Sequence, residues 1–179
     1  MQALIVIDYT FDFVLGALPV GEPAVAIGPR LCEIARSFVQ LDHWVVMAVD
    51  AHDAGDPYHP ETKLFPPHNL RGTDGRRLFG ELESVYEQNR DRIYWMDKTR
   101  YSSFAGTDLD QQLRARGIQE VHLAGVCTDI CVLHTAVDAY NRGYRVYVHS
   151  DAVASFDPQG HEWALGHFEK VLGATIVYK

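Results

Sequence analysis

The chain predicts a single-domain, doubly wound α/β fold over residues 1–179, with a six-stranded, mainly parallel sheet covered by helices on both faces. Three observations carry this. Six short runs are almost wholly apolar instead of alternating, longer stretches of helical character separate them, and polar residues stand where several of the runs end. A strand with no polar alternation must be covered on both faces, which is the situation of a strand in a parallel sheet.

In order, the strands are read at 3–8, 44–50, 93–97, 120–124, 145–149 and 175–178, and the helices at 24–42, 108–116, 129–141 and 158–172. Within the first helix, Gly28-Pro29 predicts an interruption or a late start, because proline removes a backbone donor and crowds the preceding turn. Thr107 or Asp108 can cap the second helix, Gly117 and Gly143 stand where left-handed C-caps are wanted, and Pro158 suits a first helical turn. The stretch 51–92 is rich in His, Pro, Gly and Asp and is far longer than an ordinary connection, so it reads as a functional loop. In open parallel sheets ligands bind beyond the carboxyl ends of the strands, and Asp8, Asp50, Lys98 and the turn at Cys131 all fall there.

Composition narrows the function classes. At 47% hydrophobic and 22% charged residues the chain can bury a full core. A formal net charge of -8 with no basic run argues against nucleic acid or an anionic membrane as partner and favours a small polar or neutral ligand. Three cysteines, at 32, 127 and 131, make no disulfide framework, and the N-terminus enters an apolar strand at once, so a reducing, cytoplasmic setting is expected. No apolar run approaches the roughly 20 residues needed to span a bilayer.

The chemistry concentrates in Gly125-Val126-Cys127-Thr128-Asp129-Ile130-Cys131-Val132, where an apolar run breaks and restarts as a helix. Unpaired amides and the positive helix end stabilise a thiolate, so Cys131 is the candidate nucleophile, with a thiol expected below the roughly 8.5 of a free cysteine. Asp8 could take the thiol proton and return it to a departing amine, while Lys98 holds both. The amides of Cys127 and Cys131 lie on the same turn and could hold a developing oxyanion. Singly, Asp8 could be a loop cap and Lys98 a solvated surface residue; it is the trio that carries the argument.

A metal reading has two candidates. Cys127, Cys131 and His134 lack a fourth ligand and would consume the nucleophile. Stronger is Asp50-Ala51-His52, whose first and last residues project alike from a strand end, followed by Glu61 and by His68 after Phe65-Pro66-Pro67. This mixed oxygen and imidazole set suits one divalent ion, zinc first, with Mn or Fe as alternatives. His59 competes with Glu61 for the third position, and His43, His122, His149, His161 and His167 lack an acidic partner at ligand spacing. Phe11, Phe13, Phe65, Trp95 and Tyr101 flank these positions and could sandwich a flat ring.

Taken together, Ile7-Asp8-Tyr9-Thr10 with Asp12-Phe13-Val14, Asp50-Ala51-His52, His59-Pro60-Glu61, Lys63-Leu64-Phe65-Pro66-Pro67-His68, Trp95-Met96-Asp97-Lys98 and the turn at 125–132 resemble the motifs of the isochorismatase-like cysteine hydrolases, and among them the nicotinamidases. The resemblance covers nearly the whole chain. It implies a catalytic triad of Asp8, Lys98 and Cys131, a metal held by Asp50, His52, His68 and Glu61, aromatic walls at Phe13, Phe65 and Tyr101, and a cis peptide before Cys127 that turns its N–H toward the oxyanion. The activity implied is hydrolysis of nicotinamide to nicotinate and ammonia through a thioester, in NAD salvage, with pyrazinamide also accepted. On analogy alone it points to a homo-oligomer, a tetramer among the candidates. Another small-amide hydrolase of the same superfamily is the competing enzyme reading; a binding-only relative or a redox sensor is the non-enzymatic one.

Overall fold

A computed structural model describes residues 1–178. Six strands, β1 (Ala3–Ile7), β2 (Trp44–Asp50), β3 (Ile93–Lys98), β4 (Glu120–Val126), β5 (Arg145–Ala154) and β6 (Thr175–Val177), form one sheet in the order β3-β2-β1-β4-β5-β6. Every pairing is parallel, so the expected mainly parallel sheet is wholly so. The helices are α1 (Phe11–Val14), α2 (Glu22–Gln40), α3 (Glu81–Glu87), α4 (Leu109–Ala115), α5 (Leu133–Asn141) and α6 (Pro158–Lys170).

The apolar strands divide their side chains between two cores. Leu4 and Val6 of β1 join Met47, Leu31, Ile34 and Leu82 on the face covered by α2 and α3, whereas Ala3, Ile5 and Ile7 join Val46, Leu113, Ala136 and Phe168 under α4, α5 and α6. Because successive residues of a strand point to opposite faces, a fully apolar strand is what two covered faces require.

Three elements depart from expectation. Gly28-Pro29 does not interrupt the first helix: α2 runs unbroken through Pro29. Proline forfeits one helical hydrogen bond, and Pro29 lies on the exposed side, where the bypassed carbonyl meets water. Gly28 is required by packing: a Cβ there would lie 2.6 Å from the Tyr9 hydroxyl, which donates to the Ala24 carbonyl at 2.8 Å and ties β1 to α2. The segment 51–92 is not all loop; it holds α3 and two 3-10 turns, Pro60–Lys63 and Asp74–Arg76. β5 also continues five residues past the expected strand, to Ala154.

The end signals otherwise act as read. Thr107 Oγ1 accepts the Leu109 amide at 3.3 Å and so, between Thr107 and Asp108, caps α4 with its side chain. Pro158 opens α6 behind Asp157, whose carboxylate accepts the Gln159 amide at 3.0 Å. The chain order reverses between β1, which leads to β2, and its other neighbour β4, placing the crevice of a doubly wound sheet beyond the ends of these strands. Among the described residues no helix is long and apolar enough to cross a membrane.

Candidate active site

Four neighbouring strands deliver their last residues to that crevice. Asp8 follows β1 with a left-handed φ of 54°, which turns its side chain back over the sheet end, and its Oδ1 accepts the Asp50 amide at 2.8 Å. Asp50 and Lys98 end β2 and β3 in direct register. Beyond β4 the backbone passes a cis peptide at Val126–Cys127, as the resemblance implied, into a π-helical turn, Thr128–Val132, that carries Cys131 and leads into α5. Gly125 makes the approach of β4 to β1 possible: its φ is 115°, and a Cβ there would fall 2.0 Å from the Ile7 carbonyl oxygen.

Lys98 is 1% exposed and lies at the centre of the cluster. Its ammonium contacts Asp8 Oδ2 at 2.7 Å, pairs closely with Asp50 Oδ1, donates to the Arg100 carbonyl at 3.2 Å and stands 3.7 Å from Cys131 Sγ. Burial by itself would lower its pKa; the two carboxylates override this and hold it well above its ordinary value. Lys98 is therefore a buried fixed cation, not a snorkelling one. Asp8 is raised to about 6 by burial and by Asp50, against the pull of Lys98.

The expectation of a lowered Cys131 pKa is not met. Burial of Sγ raises it well above its ordinary value, and although Lys98 opposes this, Asp8 and Asp50 add to it. The helix-start argument fails because Cys131 sits in a buried π turn and is 4% exposed, with two carboxylates within reach. Burial thus favours the protonated thiol, and Asp8 is the adjacent carboxylate that can receive its proton. A thiol and a carboxylate held together by an ammonium can serve as a nucleophile and base pair.

The second cluster shares Asp50. One ligand atom each from Asp50, His52, Glu61 and His68 lies within 4.8 Å of all the others, and all four residues are buried. Asp50 Oδ2, His52 Nε2, Glu61 Oε1 and His68 Nε2 have no hydrogen-bond partner. Buried polar atoms are almost always paired, so four orphaned lone-pair donors converging on one point fit a divalent cation. Pro66 fixes one ligand: its carbonyl holds His68 Nδ1 at 2.8 Å, leaving Nε2 free to face inward. Burial and Asp50 push Glu61 up to about 7.

Of His59 and Glu61, it is Glu61 that stands in this four-residue cluster. Both ring nitrogens of His59 are engaged, Nε2 with the Thr99 carbonyl at 2.8 Å and Nδ1 accepting the Glu61 amide at 3.3 Å. The weaker cysteine site does not assemble, since exposed His134 spends Nδ1 on the Ile130 carbonyl at 2.7 Å. His122 and His149 are buried and pair with each other at 3.0 Å, whereas His161 bonds the Thr128 hydroxyl at 2.8 Å beside the cysteine turn.

A narrow pocket opens onto Cys131 and is lined by Phe13, Phe65 and Tyr101 together with Glu61 and Cys127. Leu18, Ile130 and Phe156 complete its wall and were not singled out in the sequence, since each is an ordinary apolar residue brought in by a different turn. Two of the flanking aromatics are elsewhere: Phe11 packs near Phe79 and is 47% exposed, and Trp95 lies against Tyr86 and Arg76.

Fold and site place the chain in one class. The isochorismatase domain matches residues 2–177, and the chain belongs to the isochorismatase family. It is 56% identical over 179 residues to the uncharacterized isochorismatase family protein PncA of Bacillus subtilis, covering 98% of each chain. The crystal structure of nicotinamidase/pyrazinamidase PncA from Bacillus subtilis is similar with a TM-score of 0.97 at 55% identity, over 99% of this chain and 100% of that one. The crystal structure of the pyrazinamidase of Pyrococcus horikoshii in complex with zinc is similar with a TM-score of 0.87 at 33% identity, over 99% of each chain.

Proposed function

We propose that the protein is a metal-dependent cysteine amidohydrolase that converts nicotinamide to nicotinate and ammonia, and that it also accepts pyrazinamide. The observation that carries the reading is Lys98, whose buried ammonium touches Asp8 and Asp50 and stands beside Cys131 Sγ, joining the thiol trio to the four-ligand cluster through Asp50. Similarity to proteins named nicotinamidase and pyrazinamidase supports the substrate class.

In this reading Cys131 is the nucleophile, Asp8 the proton carrier and Lys98 the cation that holds them. The Sγ–H proton passes to Asp8 as sulfur bonds the carboxamide carbon, and the amides of Cys127 and Cys131 hold the oxygen that becomes negative. Asp8 then protonates the departing nitrogen, and ammonia leaves a thioester. Asp8 takes a proton from water as its oxygen attacks the thioester carbon; nicotinate leaves and the proton returns to sulfur. An Asp8 pKa near 6 suits both duties, because neither protonation state is far from neutral pH.

Asp50, His52, Glu61 and His68 would hold the metal, with zinc the ion best matched to two imidazoles and two carboxylates. When bound, the cation supplies a fixed contact for a ring nitrogen and orients the amide. Phe13, Phe65 and Tyr101 enclose a flat ring, and Leu18 and Phe156 restrict its size. The acting form is taken to be a homo-oligomer.

The test is ammonia release from nicotinamide by zinc-loaded protein, with Cys131→Ala and chelated protein alongside. Release by the wild type and its loss in both controls is the expected result, with the Cys131→Ala protein still binding zinc. No release from zinc-loaded wild type would discard the substrate, and full turnover by Cys131→Ala would discard the nucleophile.

A further inference from the structure

The four ligands come from two places in the chain that have no covalent reason to stay in register: Asp50 and His52 at the end of β2, and Glu61 and His68 in the long connection after it. Asn69, next to His68, joins them. Its carbonyl accepts the His52 amide at 3.1 Å, and the His52 carbonyl accepts the Arg71 amide at 2.9 Å, so Asn69 supplies one of the two backbone bonds that fix the distance between the two imidazole-bearing segments. Asn69 itself is fully buried at a φ of 44°, a left-handed conformation that must be held from outside.

What holds it is Asp12, on the short helix α1. Asp12 Oδ2 accepts the Asn69 amide at 2.8 Å, and Oδ1 accepts the Ala17 amide at 3.1 Å. Thr10, two residues earlier, donates its hydroxyl to Asn69 Oδ1 at 2.9 Å. Gly75 passes over the carboxylate so closely that a Cβ there would lie 2.1 Å from Asp12 Oδ2, which keeps it from water and from rotating away. The next residue, Phe13, meets the His68 ring edge-on with centroids 5.1 Å apart.

We infer that Asp12 and Thr10 are positioning residues for the metal: through Asn69 they set the separation of His52 and His68, and neither belongs to the ligand cluster nor to the cavity lining. This rests on the reading that Asp50, His52, Glu61 and His68 hold a cation. A charged acceptor bonding a backbone amide in a buried site is strong and directional. An amide side chain at 12 would accept one of the two backbone amides and turn its NH2 toward the other. Groups that orient ligands from behind commonly contribute 10- to 100-fold to metal affinity.

The test is zinc affinity of the full-length protein, by competition with a chromophoric chelator, for wild type, Asp12→Asn, Thr10→Val and Thr10→Ser. Each protein is also melted in excess chelator to report the metal-free fold. The expected result is a roughly 10- to 100-fold loss of affinity in Asp12→Asn, a smaller loss in Thr10→Val, and recovery in Thr10→Ser, with metal-free melting temperatures near that of wild type. Wild-type affinity in both Asp12→Asn and Thr10→Val overturns the inference. So does a loss of affinity matched by collapse of the metal-free melting temperature, because the residues would then support the fold in general. A wild type that binds no zinc fails the ligand assignment itself, a different result from variants that bind as tightly as a binding wild type.

Discussion

Acid should weaken this fold through one buried pair, His122 and His149. Their rings meet through Nδ1 and Nε2 at 3.0 Å on the face covered by α2, with His122 stacked on Tyr147 at 4.5 Å and edge-on to Phe38 at 5.0 Å. The outer nitrogens, His122 Nε2 and His149 Nδ1, are buried without partners, so a second proton has nowhere to be solvated. Burial lowers both, and each imidazole is pushed from 6.5 to about 4, His122 with help from its neighbour. Between these values the unfolded chain carries protons that the folded chain refuses, so stability falls as pH drops from about 6.5 towards 4 and is free of this effect at neutral pH. From pH 7 to pH 5 each ring contributes roughly 2 kcal/mol of lost stability, and the pair roughly 4, because both rings stay largely unprotonated in the folded chain at pH 5. For a chain of this length that is a fall in melting temperature of roughly 8–16 °C. The assay is thermal unfolding at pH 7, 6 and 5 of wild type and of the double variant His122→Phe, His149→Leu, with chelator in every sample so that acid release of metal drops out. The double variant removes both orphan nitrogens of this pair and should show a shallower decline. Equal declines in the two proteins would refute the reasoning, since the acid loss would then arise elsewhere.

Two further outcomes follow from the crevice and the ligand cluster. Gly125→Ala places a Cβ 2.0 Å from the Ile7 carbonyl oxygen at a φ of 115°, so β1 and β4 must part where the crevice forms; a destabilisation above about 4 kcal/mol, or insoluble protein, is expected in expression and denaturant unfolding, and a wild-type midpoint would contradict the geometry. Zinc at about 100 times its dissociation constant should add roughly 2.7 kcal/mol and raise the melting temperature by roughly 5–10 °C, and Glu61→Gln, which removes a buried charged ligand, should lose most of that gain; an unchanged zinc-dependent rise in the variant would remove Glu61 from the ligand set.

Much of this was legible because each signal was local. The residues 4–7 and 45–49 admit no polar side chain, so their burial on both faces, and with it a parallel sheet, follows from the residues themselves. Asp8, Asp50 and Lys98 were visible because charge at the end of such a strand is conspicuous. Phe156, Leu18 and Asn69 were not, and Asp12 stood in a motif without a role, since an apolar wall residue, a left-handed asparagine and a carboxylate in a four-residue helix have no periodicity to betray them. Pro29 misled because the cost of a helical proline depends on which face it occupies, and that is known only once α2 has packed.

By itself, then, the sequence determined which segments are strands, which residue types stand at their carboxyl ends and which chemistry those types can perform. Tertiary structure alone decided the surroundings and the partners: that burial raises the Cys131 thiol, that Glu61 and not His59 stands with His52, that Phe13 but not Phe11 faces the cavity, and that Asp12 and Thr10 bear on Asn69 beside His68. The division is physical. Burial pattern and propensity are set by neighbours within a few residues, whereas a pKa, an orphaned ligand atom or a braced carbonyl depends on groups tens of residues away that meet only when the sheet closes.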